Sequence, residues 1–200
     1  MIWITSDWHF NHDQDFVWEA RGFDSIEDMN AEIVKRHNSL VQPDDDVYVL
    51  GDLCMSGKLE ENKILIESLN GKLHIVFGNH CTKNRQVMYS ECKNVVEICG
   101  YATMLSYKKY NFYLSHFPTN TGNYDADKPL KGRIINLCGH SHIIDELEEF
   151  TENHQLSYHV EMDAHDCYPV SIEDIILTLR HKLGECTCEG KCENCKCKQK

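Results

Sequence analysis

Eight acid, amide and imidazole side chains recur in short clusters along this chain, and each cluster follows an apolar run. Asp7-x-His9 comes directly after the run at residues 2–6, Gly51-Asp52 after 47–50, and Gly78-Asn79-His80 after 73–77. His116 closes the run at 111–115, and Gly139-His140-Ser141-His142 follows 134–138. Carboxylate, imidazole and amide oxygen are the donors that borderline and hard divalent cations accept. In extended backbone, residues two apart project to one side. That would aim Asp7 with His9, and His140 with His142. Gly-Asp alone is a routine turn, and a single His pair is more often structural. The joint pattern carries the weight, because ligands in open α/β sheets gather beyond the carboxyl ends of strands.

The elements that must hold these groups can be read from the same sequence. Residues 2–6, 47–50 and 73–77 are short, apolar and bounded by turn residues, as buried strands are. Between them lie two helices. The first opens at Ser25 as N-cap with Glu27 and Asp28 in its first turn, and runs to about Leu40. Its apolar positions Ile26, Met29, Ile33, Val34 and Leu40 fit one face. The second spans 58–69 and is closed by Asn70-Gly71. Strands joined by helical crossovers predict a largely parallel sheet covered by helices. The second half reads differently: a hairpin from 101–107 and 111–115 turning at Lys108-Lys109-Tyr110, strands at 134–138 and 156–162, and a last helix from Ser171 to about Leu183. The fold class is α/β, two packed mixed β-sheets flanked by helices. The one boundary falls at Gly184, giving a body of 1–183 and a polar tail of 184–200.

Charge and composition narrow the function. The chain has 200 residues and a formal net charge of −12. An acidic surface does not draw in polyanions over a broad face, so no broad duplex-binding role is expected. A phosphate substrate remains open, because bound cations reverse the local sign of a cleft. Nothing approaches an uninterrupted membrane-length apolar stretch, and without a basic n-region followed by an apolar h-region no secretory signal is expected. A cytoplasmic location with reduced body thiols is the expectation.

In their order and wording these clusters resemble the five signatures of the calcineurin-like metallophosphoesterases. Ser6-Asp7-Trp8-His9-Phe10-Asn11-His12 and residues 163–169 look like the small bacterial and phage branch. The resemblance covers roughly residues 1–180 and implies a four-layer α/β/β/α sandwich. It implies two divalent metal ions: one on Asp7, His9 and His142, the other on Asn79, His116 and His140, with Asp52 bridging both. The mixed N and O set suits Mn, Fe, Zn, Ni or Co. Two cations about 3.5–4 Å apart can share a hydroxide and polarise one phosphoryl group. The expectation is in-line attack on a phosphomonoester or phosphodiester, with His80 as the catalytic residue that serves the departing oxygen. A small nucleotide-like phosphate ester, a cyclic nucleotide or a nucleic-acid end is the expected substrate. The chain departs from the family at Cys81, where an acid usually follows Gly-Asn-His. A non-catalytic scaffold on this fold is the alternative, although such scaffolds usually lose ligands and every ligand position is filled.

Arg21 and His12 are lesser substrate-binding candidates. Arg21 either recognises phosphate or is an exposed Arg paired with a nearby acid. His12 either lines the cleft or is a solvated loop residue. The tail carries Cys186, Cys188, Cys192, Cys195 and Cys197 among Lys and Glu with almost no apolar residue. It is a candidate thiolate site for an additional Zn, formed only on metal binding, or a polar tail of reduced thiols.

Overall fold

The computed structural model describes residues 1–122, 128–150 and 155–185. Two five-stranded sheets form the frame. The first takes β1 (Ile2–Thr5), β2 (Asp46–Leu50), β3 (Lys72–Val76), β4 (Val95–Gly100) and β10 (Val170–Ser171), in the order β10-β1-β2-β3-β4. Its neighbours are parallel except for the antiparallel edge strand β10. The second takes β5 (Ala102–Tyr107), β6 (Tyr110–Ser115), β7 (Ile134–Cys138), β8 (Leu147–Phe150) and β9 (Gln155–His159), in the order β5-β6-β7-β9-β8. β6, β7 and β9 run parallel, and an antiparallel strand closes each edge.

The helices follow from local sequence. α1 (Asp15–Trp18) is a single turn, and α2 (Ile26–Leu40) is the long one. Ser25 caps α2 by accepting from Asp28 N at 3.1 Å, an interaction that stabilises a helix by about 1 kcal/mol. α3 (Leu59–Glu67) and α4 (Lys83–Glu91) follow β2 and β3, and α5 (Ile172–Lys182) repeats the Ser cap at Ser171. Lys108 and Lys109 both adopt positive φ, 47° and 71°, as a two-residue hairpin turn between right-twisted strands requires.

Alternation along the strands sorts the side chains into two cores. Trp3, Val47, Val49, Leu73 and Ile75 face one way and pack against Met29 and Ile33 of α2, Ile66 of α3 and Met88 of α4. Ile4, Leu50 and Val76 face the other way and share a core with Phe112, Leu114, Leu137 and Tyr158 of the second sheet and Ile175 and Leu179 of α5. This is the two-sheet α/β architecture expected. Among the described residues no helix is long and apolar enough to cross a membrane. The Cys-rich tail at 186–200 lies outside the described residues, so that candidate Zn site and the body–tail boundary remain expectations.

Candidate metal centre

All five clusters arrive at one place. β1, β2 and β3 end side by side in the first sheet, β6 and β7 do so in the second, and the ligand-bearing loops leave from those ends. Past the strand ends the first two loops stay zipped: Asp7 N donates to Gly51 O, His9 N to Asp52 O and Phe10 N to Leu53 O, all within 3.2 Å. Asn11 then ties its loop to α2 and α3 through Asn30 and Asn62.

The expected reason for the shared direction of Asp7 with His9, and of His140 with His142, was extended backbone. The structure corrects it. Asp7, His9, Asp52, His140 and His142 all lie in the left-handed region, with φ between 48° and 73°. Such residues are uncommon outside glycine and cost of order 1–3 kcal/mol each. Five among seven candidate ligands means the loops are bent to aim these groups, at the expense of backbone ease.

The first group is Asp7, His9 and His142. Asp7 is fully buried. Its Oδ2 is satisfied by Ser6 Oγ at 2.7 Å and His140 N at 2.9 Å. Its Oδ1 has no hydrogen-bond partner, and neither has the buried Nε2 of His9. These two atoms are 3.5 Å apart, and His142 Nε2 is 3.6 Å from the same Oδ1. Buried polar atoms without a partner are costly. Two of them, Asp7 Oδ1 and His9 Nε2, face each other with the half-open His142 Nε2 beside them, and such a group fits a cation.

The second group is Asp7, Asp52 and His116, so Asp7 belongs to both. His116 is fully buried, and its Nδ1 donates to Leu50 O at 2.9 Å. That turns Nε2 toward the centre, 3.3 Å from Asp52 Oδ2 and 2.8 Å from Asn79 Oδ1. The His140 ring lies 5.0 Å from that of His116. Asp52 Oδ1 accepts from His80 N at 2.9 Å. The His80 side chain is more open, with Nε2 3.9 Å from Asp52 Oδ2 and the ring 5.7 Å from that of His9.

Two glycines make room for the carboxylates. A Cβ on Gly139 would stand 2.2 Å from Asp7 Oδ2, and one on Gly78 would stand 2.3 Å from Asp52 Oδ1. Electrostatics points the same way. Burial alone would raise the Asp7 pKa, but the imidazoles of His9, His116 and His142 hold it at about 2. At Asp52 burial is again outweighed, here by His116 and the His80 N–H, and the pKa is lowered. Two buried carboxylates that stay ionised call for positive charge. The donors are N and O without thiolate, and the residues fit divalent cations.

Arg21 pairs with an acid, as one of the two expectations had it, but it is buried and not exposed. Its side chain is only 2% exposed. Nε and Nη2 grip Asp163, Nη2 also donates to Asp7 O, and Nη1 donates to Trp8 O and Met29 Sδ. A guanidinium has five N–H donors, and all five are engaged within the protein, which ties Arg21 to the loop. Asp163 passes that order on, because His142 Nδ1 lies 2.8 Å from its Oδ2. His12 does line the cleft: its Nδ1 is 3.1 Å from His9 Nδ1 and its ring stacks on that of His9. Burial, with the neighbouring charges of His9 and His80, lowers its pKa to about 4. Cys81, in place of the family's usual acid, accepts from Gly78 N at 3.2 Å and so still closes that turn. Asp163, Ser6 and Arg85 were not singled out from sequence. Arg85 donates to the carbonyls of His80 and Met55. For Asp163 the reason is distance along the chain, since Arg21 lies 142 positions away.

The α/β sandwich thus carries His, Asp and Asn donors at converging strand ends, the arrangement of a candidate metal centre. The sequence profile of the calcineurin-like phosphoesterases matches residues 1–192. The chain belongs to that family, and membership supports metal-dependent phosphoester hydrolysis. An uncharacterised protein of Methanocaldococcus jannaschii, MJ1445, is 32% identical over 182 residues, covering 90% of this chain and 92% of that protein. The gene 66 protein of Mycobacterium phage L5 is 26% identical over 81% of this chain and 86% of its own length. The crystal structure of AQ665, a protein of unknown function from Aquifex aeolicus, shares the fold with a TM-score of 0.65 at 19% identity, covering 89% of this chain and 98% of that one.

Proposed function

We propose that the chain is a dinuclear metal-dependent phosphoesterase acting on small, nucleotide-like phosphomonoesters or phosphodiesters. The observation that carries this is the pair of buried, partnerless atoms, Asp7 Oδ1 and His9 Nε2, turned toward each other and toward His142. In this reading Asp7, His9 and His142 hold one cation, Asn79, His116 and His140 hold the other, and Asp52 lies between them. Mn, Fe, Zn, Ni or Co suits such donors. Divalent cations held there would supply positive charge for the phosphoryl oxygens and would activate water as a nucleophile.

The chain's own residues do the rest. Arg21 and Asp163 fix His142, Leu50 O fixes His116, and Ser6 with the His140 N–H fixes Asp7. His80, on the open side with its backbone anchored to Asp52, holds a proton at its ring for the departing oxygen. Six free thiols in the described body suit a reducing compartment, and the cytoplasm is the proposed location. The test is a panel of phosphomonoesters, phosphodiesters and cyclic nucleotides with Mn, Ni, Zn and Mg in turn. Metal-dependent hydrolysis is expected. His80→Ala should lower turnover about 10²–10⁴-fold with metal content unchanged. Hydrolysis of none by metal-loaded protein would favour a non-catalytic scaffold.

A further inference from the structure

A cavity of about 590 Å³ opens beside the candidate ligands. His9, His80 and His142 line it on the side of the metal centre, and Phe16, Val17 and Met55 give it an apolar surface. His12 stacks on His9 with centroids 5.1 Å apart and planes at 26°, then meets Phe16 edge-on at 5.9 Å. The three rings thus form a row leading outward from a candidate ligand. Val17 and Trp18 pack on the core, which pins the turn, while Phe16 stays 71% exposed. The turn presents Phe16 to the cavity and does not bury it.

Charge limits what can enter. Among the described residues lining this cavity, Arg21 is the one Arg or Lys, and its five donors are engaged. A second phosphate would meet no free cation there. An occupant with a neutral, flat and apolar part would meet an aromatic face and a thioether, both of which favour rings.

We infer that this cavity selects the organic half of the substrate: an ester with one phosphate at the ligands and a planar ring against Phe16 and Met55. Phe16 stands two ring contacts out from His9, which leaves space for a sugar-sized spacer. The class is therefore a nucleoside phosphate, not an ester whose ring is attached directly to phosphorus and not a longer strand with further phosphates. The inference rests on the proposed phosphate site and adds the group beyond it.

Calorimetric titration of the Mn-loaded full chain tests it, using non-cleavable phosphonate analogues of adenosine monophosphate and of ribose 5-phosphate, with phenylphosphonate as a third probe. The adenosine analogue should bind about tenfold more tightly than the ribose analogue, as stacking of one base predicts. Phenylphosphonate should gain little from its ring. Phe16→Ala, at an exposed position, should erase the adenosine preference. Equal binding of the adenosine and ribose analogues, or a preference that survives in Phe16→Ala, overturns the inference. Equal binding by a protein that hydrolyses phosphate esters leaves the proposed function standing. A ring preference in a protein that hydrolyses none upholds the cavity and removes the enzyme.

Discussion

Arg21 grips Asp163 with two parallel bonds, Nε to Oδ1 at 3.0 Å and Nη2 to Oδ2 at 2.9 Å, across 142 residues of sequence. The same Asp163 Oδ2 lies 2.8 Å from His142 Nδ1, so the pair orients a candidate ligand that is otherwise half-open. Partners that fix a ligating imidazole are commonly worth 10–100-fold in metal affinity. Asp163→Asn should therefore weaken Mn binding about 10–100-fold, read by equilibrium dialysis, with an unchanged far-UV circular dichroism spectrum. Unchanged affinity would show that His142 needs no such support. Arg21→Ala should be worse for the fold, losing about 1–3 kcal/mol, because the part-buried Asp163 then keeps only His142 as a partner.

Gly139→Ala should destroy the first group outright. The new methyl would overlap Asp7 Oδ2 and Ser6 Oγ, each 2.2 Å away, with Ser6 Cβ behind them at 2.8 Å. Metal content should fall, with stability lowered by about 1–3 kcal/mol as an overpacked site predicts. Gly57 is the control, since a Cβ there meets nothing within 4 Å. Gly57→Ala should stay within about 0.5 kcal/mol of the parent. Equal metal content in Gly139→Ala and Gly57→Ala would contradict the packing at Asp7.

Stability should fall on mild acidification, and His37 on α2 supplies part of the reason. Its ring is 1% exposed, Nε2 donates to Asn70 O at 2.9 Å, and Nδ1 has no partner. Burial lowers its pKa to about 4, against 6.5 for a free ring. Between those values the unfolded chain takes a proton and the folded chain does not. Stability is therefore full above pH 6.5 and declines as pH falls toward 4, by up to about 3 kcal/mol. Urea unfolding at pH 7 and pH 5 should show a smaller loss for His37→Gln than for the parent. Equal losses would remove His37 from the explanation.

The periodic parts of this fold were legible. Ser25 and Ser171 announced α2 and α5, and the three runs ending at Asp7, Asp52 and Asn79 announced the parallel sheet. Elements with weak local signals were not. α4 has a polar sequence and no side-chain cap bond, and β10 is two residues long; tertiary pairing defines both. The ligand residues were visible because each follows a strand, but the backbone that aims them was not. Asp7 and His9 share a direction through left-handed bends, and alternation along an extended strand plays no part. The burial of Arg21 has no local signal, because its partner Asp163 is remote in sequence and near only in the fold.

The most direct measurement is an anomalous-difference map from a crystal of the Mn-loaded protein. Two peaks should appear, one among Asp7, His9 and His142, the other among Asn79, His116 and His140, with Asp52 reaching toward both. A single peak, or peaks away from these side chains, would contradict the dinuclear reading.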